Sequence, residues 1–188
     1  GLIATSSSVG NFKVATAVSV VVAVPTGILV SVVAPSISSL FVADDRARLQ
    51  KLLAWSSAAM VCGVAVLSLP FFIAAPSLIE FVFGSDFTAA ATPLRILCFG
   101  AVLTATAGTA GTLLNMTGNE RRVRRASFEA LIILVVVMPP LIILSGASGA
   151  AIATVVASLF WRARMARDCR RLLGLEPGLL ALVRPGSK

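Results

Sequence analysis

The sequence predicts an all-α fold, a polytopic transmembrane helix bundle, and three observations predict it. Of its 188 residues, 57% are hydrophobic and only 13% charged, against about 25% charged in an ordinary soluble domain. The mean hydropathy is +0.97. The apolar residues fall in runs near twenty long, and the connections between runs alternate between basic and non-basic. Barrel strands would alternate apolar and polar with period two over about ten residues. The run "VVVAVPTGILVSVVA" does not, so helices are the spanning elements.

The first span is Val14–Ala34, which carries no charge and reaches about 31 Å as a helix, enough for a hydrocarbon core of about 30 Å. The second is Leu52–Ile73. The third is Leu94–Asn115, whose one charge is Arg95. The fourth, Ser127–Leu144, has Glu129 one turn inside. The fifth, Gly146–Trp161, continues as a basic helix through Leu173. Gly1–Phe12 is expected to be the end of a sixth span. Residues 1–174 then form the bundle, and 175–188 a cytoplasmic tail. The chain opens on Gly1 with no charged region before an apolar run. No signal peptide is expected, and the native N-terminus is expected to lie upstream.

Charge sets the topology. "VADDRARLQK", "TGNERRVRRA" and the C-terminal tail hold 14 of the 16 Lys and Arg. "APSLIEFVFGSDFTAAA" and "SGASG" hold none. By the positive-inside rule the basic segments and the C-terminus are cytoplasmic, in a multi-pass protein. Trp55 and Trp161 fall at cytoplasmic span ends, where an aromatic belt sits. The net charge of +8 is thereby explained by topology and anionic headgroups, without nucleic acid.

No enzymatic constellation is legible. The chain has no His and no Tyr, which removes the usual general base and the usual zinc ligand. Cys62, Cys98 and Cys169 are scattered and read as small apolar residues. "GTAGTLLNMTG" is glycine-rich but lacks a P-loop lysine and a preceding strand. No catalytic residue, metal site or cofactor is expected.

Small residues recur at i, i+4: Ala15, Ser19, Ala23, Gly27 and Ser31 in span one, and Gly100, Thr104, Gly108 and Thr112 in span three. Gly149, Ala153 and Ala157 do the same in span five. Such stripes let helices approach closely in lipid. Pro25, followed by Gly27, and Pro139-Pro140 lie inside spans and are candidate kinks or hinges. Ionisable residues near the membrane are functional candidates. Lys13 and Arg95, at the outer ends of spans one and three, suit an anionic substrate if they face a cavity, and otherwise anchor their helices. Glu129 is expected to pair with Arg125.

The run "SLIEFVFGSDFTAAATPLRILCFGAVLTATAGTAGTLLNMTGNERRV" resembles the C-terminal half of polysaccharide biosynthesis membrane proteins. These are the Wzx-like lipid-linked oligosaccharide flippases of the MOP superfamily. "VGNFKVA" upstream, the apolar hairpin at "GASGAAIAT" and the basic ending "RRLLGLEPG" extend the resemblance from about Val9 to Gly178. It implies one half of a MOP-type transporter, with two six-helix bundles enclosing a cavity that opens to alternate faces of the bacterial plasma membrane. It implies a polyprenyl-pyrophosphate-linked glycan as substrate. It also implies a partner bundle, either the missing N-terminal half or a second copy. Lys13, in "NFKVA", matches a position where the family often carries a basic residue. Two alternatives stand beside this reading. A cation-coupled drug exporter of the MATE branch would need a buried acid, for which Glu129 is the candidate. A non-transporting membrane scaffold or remnant would act through its basic tail.

Overall fold

A backbone amide left unpaired in hydrocarbon costs several kcal/mol, which drives long apolar runs into helices. The computed structural model, which describes residues 6–178, is helical throughout its apolar stretches, and no strand occurs among the described residues. Helix α1 spans Ser6–Val42, α2 Arg46–Phe83, α3 Ala91–Ala105, α4 Ala110–Met116 and α5 Glu120–Leu173, with a 3-10 helix at Ser85–Ala90 ahead of α3. Four helical segments are long and apolar enough to cross a membrane by length and composition. Their outward faces are apolar, with Val32, Ile73, Val136 and Leu144 all exposed, as lipid-facing surfaces are.

Described residues of Gly1–Phe12 do not form the end of a separate span. From Ser6 they are the first turns of α1, whose helix runs on through Val14–Ala34 without interruption; residues 1–5 lie outside the described part. Helix α1 ends in a tight turn at Ala43–Asp45. The Asp45 side chain accepts from the Arg48 amide at 3.1 Å and caps α2.

Helix α2 bends at Ala74, which leaves helical geometry (φ −123°, ψ 30°) between Pro70 and Pro76. Pro76 has no N–H, and its ring crowds the carbonyl one turn back.

Helix α5 is two arms, residues 120–145 and 147–173. A straight helix would hold Ser127 and Trp161 about 51 Å apart. Instead Trp161 Nε1 donates to Ser127 Oγ at 3.0 Å. The chain reverses at Gly146 (φ 56°, ψ −127°), dihedrals that match the first central position of a type II′ turn and favour glycine. One turn on, Gly149 lies so close to the Leu141 carbonyl that a Cβ would collide with it.

Helix α1 packs against α2 and α3, α3 also against α5, and α4 against α5. The interior is two apolar clusters. One joins Val22, Met60, Val64, Ile79, Leu94 and Cys98. The other joins Ile37, Leu49, Leu53, Leu113, Leu114 and Met165. The first includes Ala105 and the second Ala110, so the gap between α3 and α4 marks their boundary.

The basic segments gather at one end of the bundle. There the α1–α2 turn meets the end of α5, with Asp44, Arg46, Leu173 and Leu175 around one hollow. At the other end Gly10 faces the Phe87 ring, which a Cβ there would meet at 3.5 Å, and Val9 and Phe12 line a hollow with Gly146. The first residues after α5 pack against the bundle. Leu175, Pro177 and Gly178 are buried, and Gln50 exchanges two hydrogen bonds with the Glu176 backbone, at 3.0 and 3.2 Å. Burial of Leu175 in the second cluster holds the segment down. Residues 179–188 lie outside the described part.

Candidate functional site

The site is built where the third apolar stretch breaks. Four residues, Thr106–Thr109, separate α3 from α4. The last turn of α3 tightens, with amide bonds from Thr106, Ala107 and Gly108 to carbonyls three residues back. The hydroxyls of Thr104 and Thr106 also turn back onto the carbonyls of Ala101 and Leu103, at 3.0 and 2.6 Å, the local competition with helix that favours termination. Gly108 then takes φ +59° against Ser57.

A broken helix leaves carbonyls without helical partners. One of these, at Gly108 in the gap, is satisfied from the second arm of α5, which also bonds the first carbonyl of α4. Arg162 Nη1 donates to the Gly108 oxygen at 3.0 Å. The Cys169 thiol donates to the Ala110 oxygen at 3.3 Å. Gly178, from the tail, fits against the Thr106 carbonyl where a Cβ would not. Thr109 is buried, and its Oγ1 finds no partner among the described residues.

Trp161 completes the arrangement. Its ring packs on Gly111, where a Cβ would come within 2.9 Å. The Arg162 guanidinium carbon lies 5.3 Å from the centre of that ring, within cation–π range. Beside these groups, between α3 and the two arms of α5, lies an open cleft of about 480 Å³. Its polar lining is Arg162, Trp161, Thr104, Ser127, Thr154 and Ser158. Its apolar lining includes Leu131 and Leu134. A cationic donor set against apolar walls suits an amphiphile with an anionic head.

Lys13 and Arg95 are both exposed and lie toward the opposite end, near Phe12 and beyond Phe87; neither lines this cleft. Pro25, Pro139 and Pro140 sit within helices that keep helical dihedrals around them, and the interior departures are at Ala74 and Gly146. Pro25 packs against Gly63 of α2, where a Cβ would come within 2.9 Å of its ring.

The small-residue stripes behave differently from one another. In α1, Ala15 is buried, Ser19 half-buried, and Ala23, Gly27 and Ser31 exposed, with nothing within 4 Å of a Cβ at Gly27. The reason is geometric. A spacing of four drifts by about 40° per step on a 3.6-residue helix, so the stripe winds about 160° from Ala15 to Ser31. Helix α1 instead turns Val22, Val33 and Ile37 inward. In α3, Gly100 is buried where a Cβ would overlap Val155, Thr104 lines the cleft and Gly108 sits in the break. Gly149, Ala153 and Ala157 are all buried.

Glu129 does not pair with Arg125. Its Oε2 lies 3.3 Å from Arg164 Nε, and Arg164 also reaches Asp168 at 3.8 Å. The fold-back of α5 brings Arg164 to it from the other arm. Arg162 was hidden within a basic run whose other members are explained by topology; its one distinguishing signal is its place directly after Trp161 at the end of an apolar stretch. No family model, curated protein or solved structure matches this chain.

Proposed function

We propose that the chain is one half of an alternating-access membrane transporter, the C-terminal bundle of a MOP-type flippase. Its substrate is a polyprenyl-pyrophosphate-linked oligosaccharide, moved outward across a bacterial plasma membrane. The observation that carries this reading is the cleft, where a guanidinium and several hydroxyls meet apolar walls between two helical elements. A diphosphate takes charge-assisted hydrogen bonds from Arg162, and an isoprenoid lies along Leu131 and Leu134.

The remaining features support the same reading. In it the two arms of α5 cross the membrane separately, giving five crossings, and the basic end faces the cytoplasm. Arg162 then meets the substrate near the cytoplasmic side, while Lys13 and Arg95 attract the diphosphate at the outer end. The breaks at Ala74 and Thr106–Thr109 supply segments that move without unfolding whole helices. A second bundle closes the path, and the substrate drives the change through its different affinity for the two open states. The salt-bridged state of Glu129 argues against its use as a coupling-ion site, so the exporter alternative gains no support.

The test uses proteoliposomes containing this bundle together with the partner bundle that closes the path, and a fluorescent polyprenyl-pyrophosphate glycan, with quencher added outside. Protein-dependent loss of the protected inner pool is expected. At equal protein abundance, Arg162→Gln should slow it by about tenfold or more, the scale of one lost charge-assisted hydrogen bond. Lys13→Ala with Arg95→Ala should slow it as well. A protected pool that is indifferent to the protein overturns the reading, and parental rates in both variants overturn the site.

A further inference from the structure

We infer that the first arm of α5 carries a binding site for an anionic phospholipid of the leaflet at the basic end, separate from the cleft. The headgroup phosphate is held by Arg121, Arg124 and Arg125, and an acyl chain lies along Phe128, Ile132 and Val135.

The first argument is charge left over. At the basic end Arg46 pairs with Asp44 at 3.3 Å, Arg48 with Asp45 at 3.2 Å and Arg170 with Glu176 at 3.7 Å, while Arg122, Arg167 and Arg171 are exposed without an ion pair among the described residues but line no groove with an apolar continuation. Arg121, Arg124 and Arg125 are exposed and have no ion pair among the described residues. They line a groove of about 510 Å³ with Phe128 and Glu129. Of the acids beside them on α5, Glu129 is engaged by Arg164 from the opposite arm at 3.3 Å, and Glu120, one turn before Arg124, forms no ion pair with them. The three guanidinium groups that line this groove repel one another unless an anion sits among them.

The second argument is what continues from the charge. At 100° per residue, Arg121, Arg125, Phe128, Ile132 and Val135 fall on one face of α5. Phe128 is 64% exposed, Ile132 49% and Val135 62%. This face points away from Ala126, which is buried in the core, and is roughly a third of a turn from the residues that line the cleft. From Arg121 to Val135 the stripe is about 21 Å long, cationic at the end and apolar along the rest. That order of charge and hydrocarbon is the order within a phospholipid at a membrane surface. A soluble phosphate has no use for the exposed phenyl ring and the aliphatic face beyond it, which decides for the lipid.

The test is a titration of the purified protein in neutral phosphatidylcholine nanodiscs, with phosphatidylglycerol as the probe and bound lipid counted by native mass spectrometry. Arg121→Gln, Arg124→Gln and Arg125→Gln together should weaken phosphatidylglycerol by about tenfold or more, because each Arg near an anionic surface contributes on that scale. Removing three exposed charges elsewhere at the same end, Lys51→Gln, Arg167→Gln and Arg171→Gln, should change it by less than about twofold. Equal losses in the two triple variants mean diffuse surface charge and overturn the site. Phe128→Ala changes no charge and hence no insertion topology, so it serves even if the first variant fails to insert. It should weaken binding by about threefold, the loss of part of a buried apolar contact, and parental binding overturns the acyl contact. Equal retention of added phosphatidylcholine, or full displacement of phosphatidylglycerol by millimolar glycerol 3-phosphate, overturns the assignment to an anionic lipid.

Discussion

Arg162 and Gly108 meet across 54 positions of sequence, Nη1 of the arginine donating to the glycine's carbonyl oxygen at 3.0 Å. The bond ties the second arm of α5 to the point where the third apolar stretch loses its helix. It also lies where the two apolar clusters divide, beside Ala105 of one and Ala110 of the other.

Removing that donor should destabilise the bundle. Arg162→Met is expected to cost about 1.5–3 kcal/mol, the range for a hydrogen bond to a charged group. The check is thermal unfolding in detergent micelles, where a parental midpoint would show that the Gly108 carbonyl is satisfied another way.

The reversal in α5 depends on one backbone conformation. Gly146→Ala should cost about 1–3 kcal/mol, because φ 56° with ψ −127° is a region that a Cβ strains. Chemical unfolding monitored through the Trp161 fluorescence in a Trp55→Phe background reports it, since that ring spans the two arms through Ser127. Equal midpoints for parent and variant would mean that the turn tolerates another geometry.

Two glycines of the small-residue stripes should respond in opposite directions. Gly27 is exposed and open around its Cβ position, so Gly27→Ala should stabilise α1 by up to about 1 kcal/mol through helix propensity. Gly100 is buried against Val155, so Gly100→Leu should destabilise by about 1–3 kcal/mol through overpacking. Parallel unfolding curves decide the matter, and equal shifts of the same sign would contradict the packing.

The Gln50 side chain holds the tail by accepting from the Glu176 amide and donating to its carbonyl. Gln50→Ala should loosen residues 174–178 by about 1–2 kcal/mol for the two neutral bonds. Hydrogen exchange should then rise about tenfold in peptides covering that segment, while peptides from residues 60–70 keep their protection. Unchanged exchange at Glu176 would show that the burial of Leu175 suffices.

The sequence by itself determined that the chain is helical and apolar enough to cross a membrane, and that its basic segments gather at one end. Both depend on local quantities. Hydropathy over twenty residues decides whether backbone can sit in hydrocarbon, and each reversal between spans carries the next loop to the other end. The reversal near Gly146 was legible for the same reason, through "SGASG" between two apolar runs. Only the tertiary structure decided which faces turn inward, where the breaks fall and who pairs with whom. Pro25 and Pro139-Pro140 carry the stronger local signal for a break, yet helical dihedrals persist there, and the third apolar stretch opens at Thr106–Thr109 instead. That opening is sustained by Arg162, Cys169 and Gly178, all more than fifty residues away. Glu129 likewise had Arg125 one turn behind it, but a folded-back arm delivered Arg164. Local pattern fixes the strength of each preference along one helix; a partner brought from a distant segment adds a free energy of the same size, and its identity is settled when the helices pack.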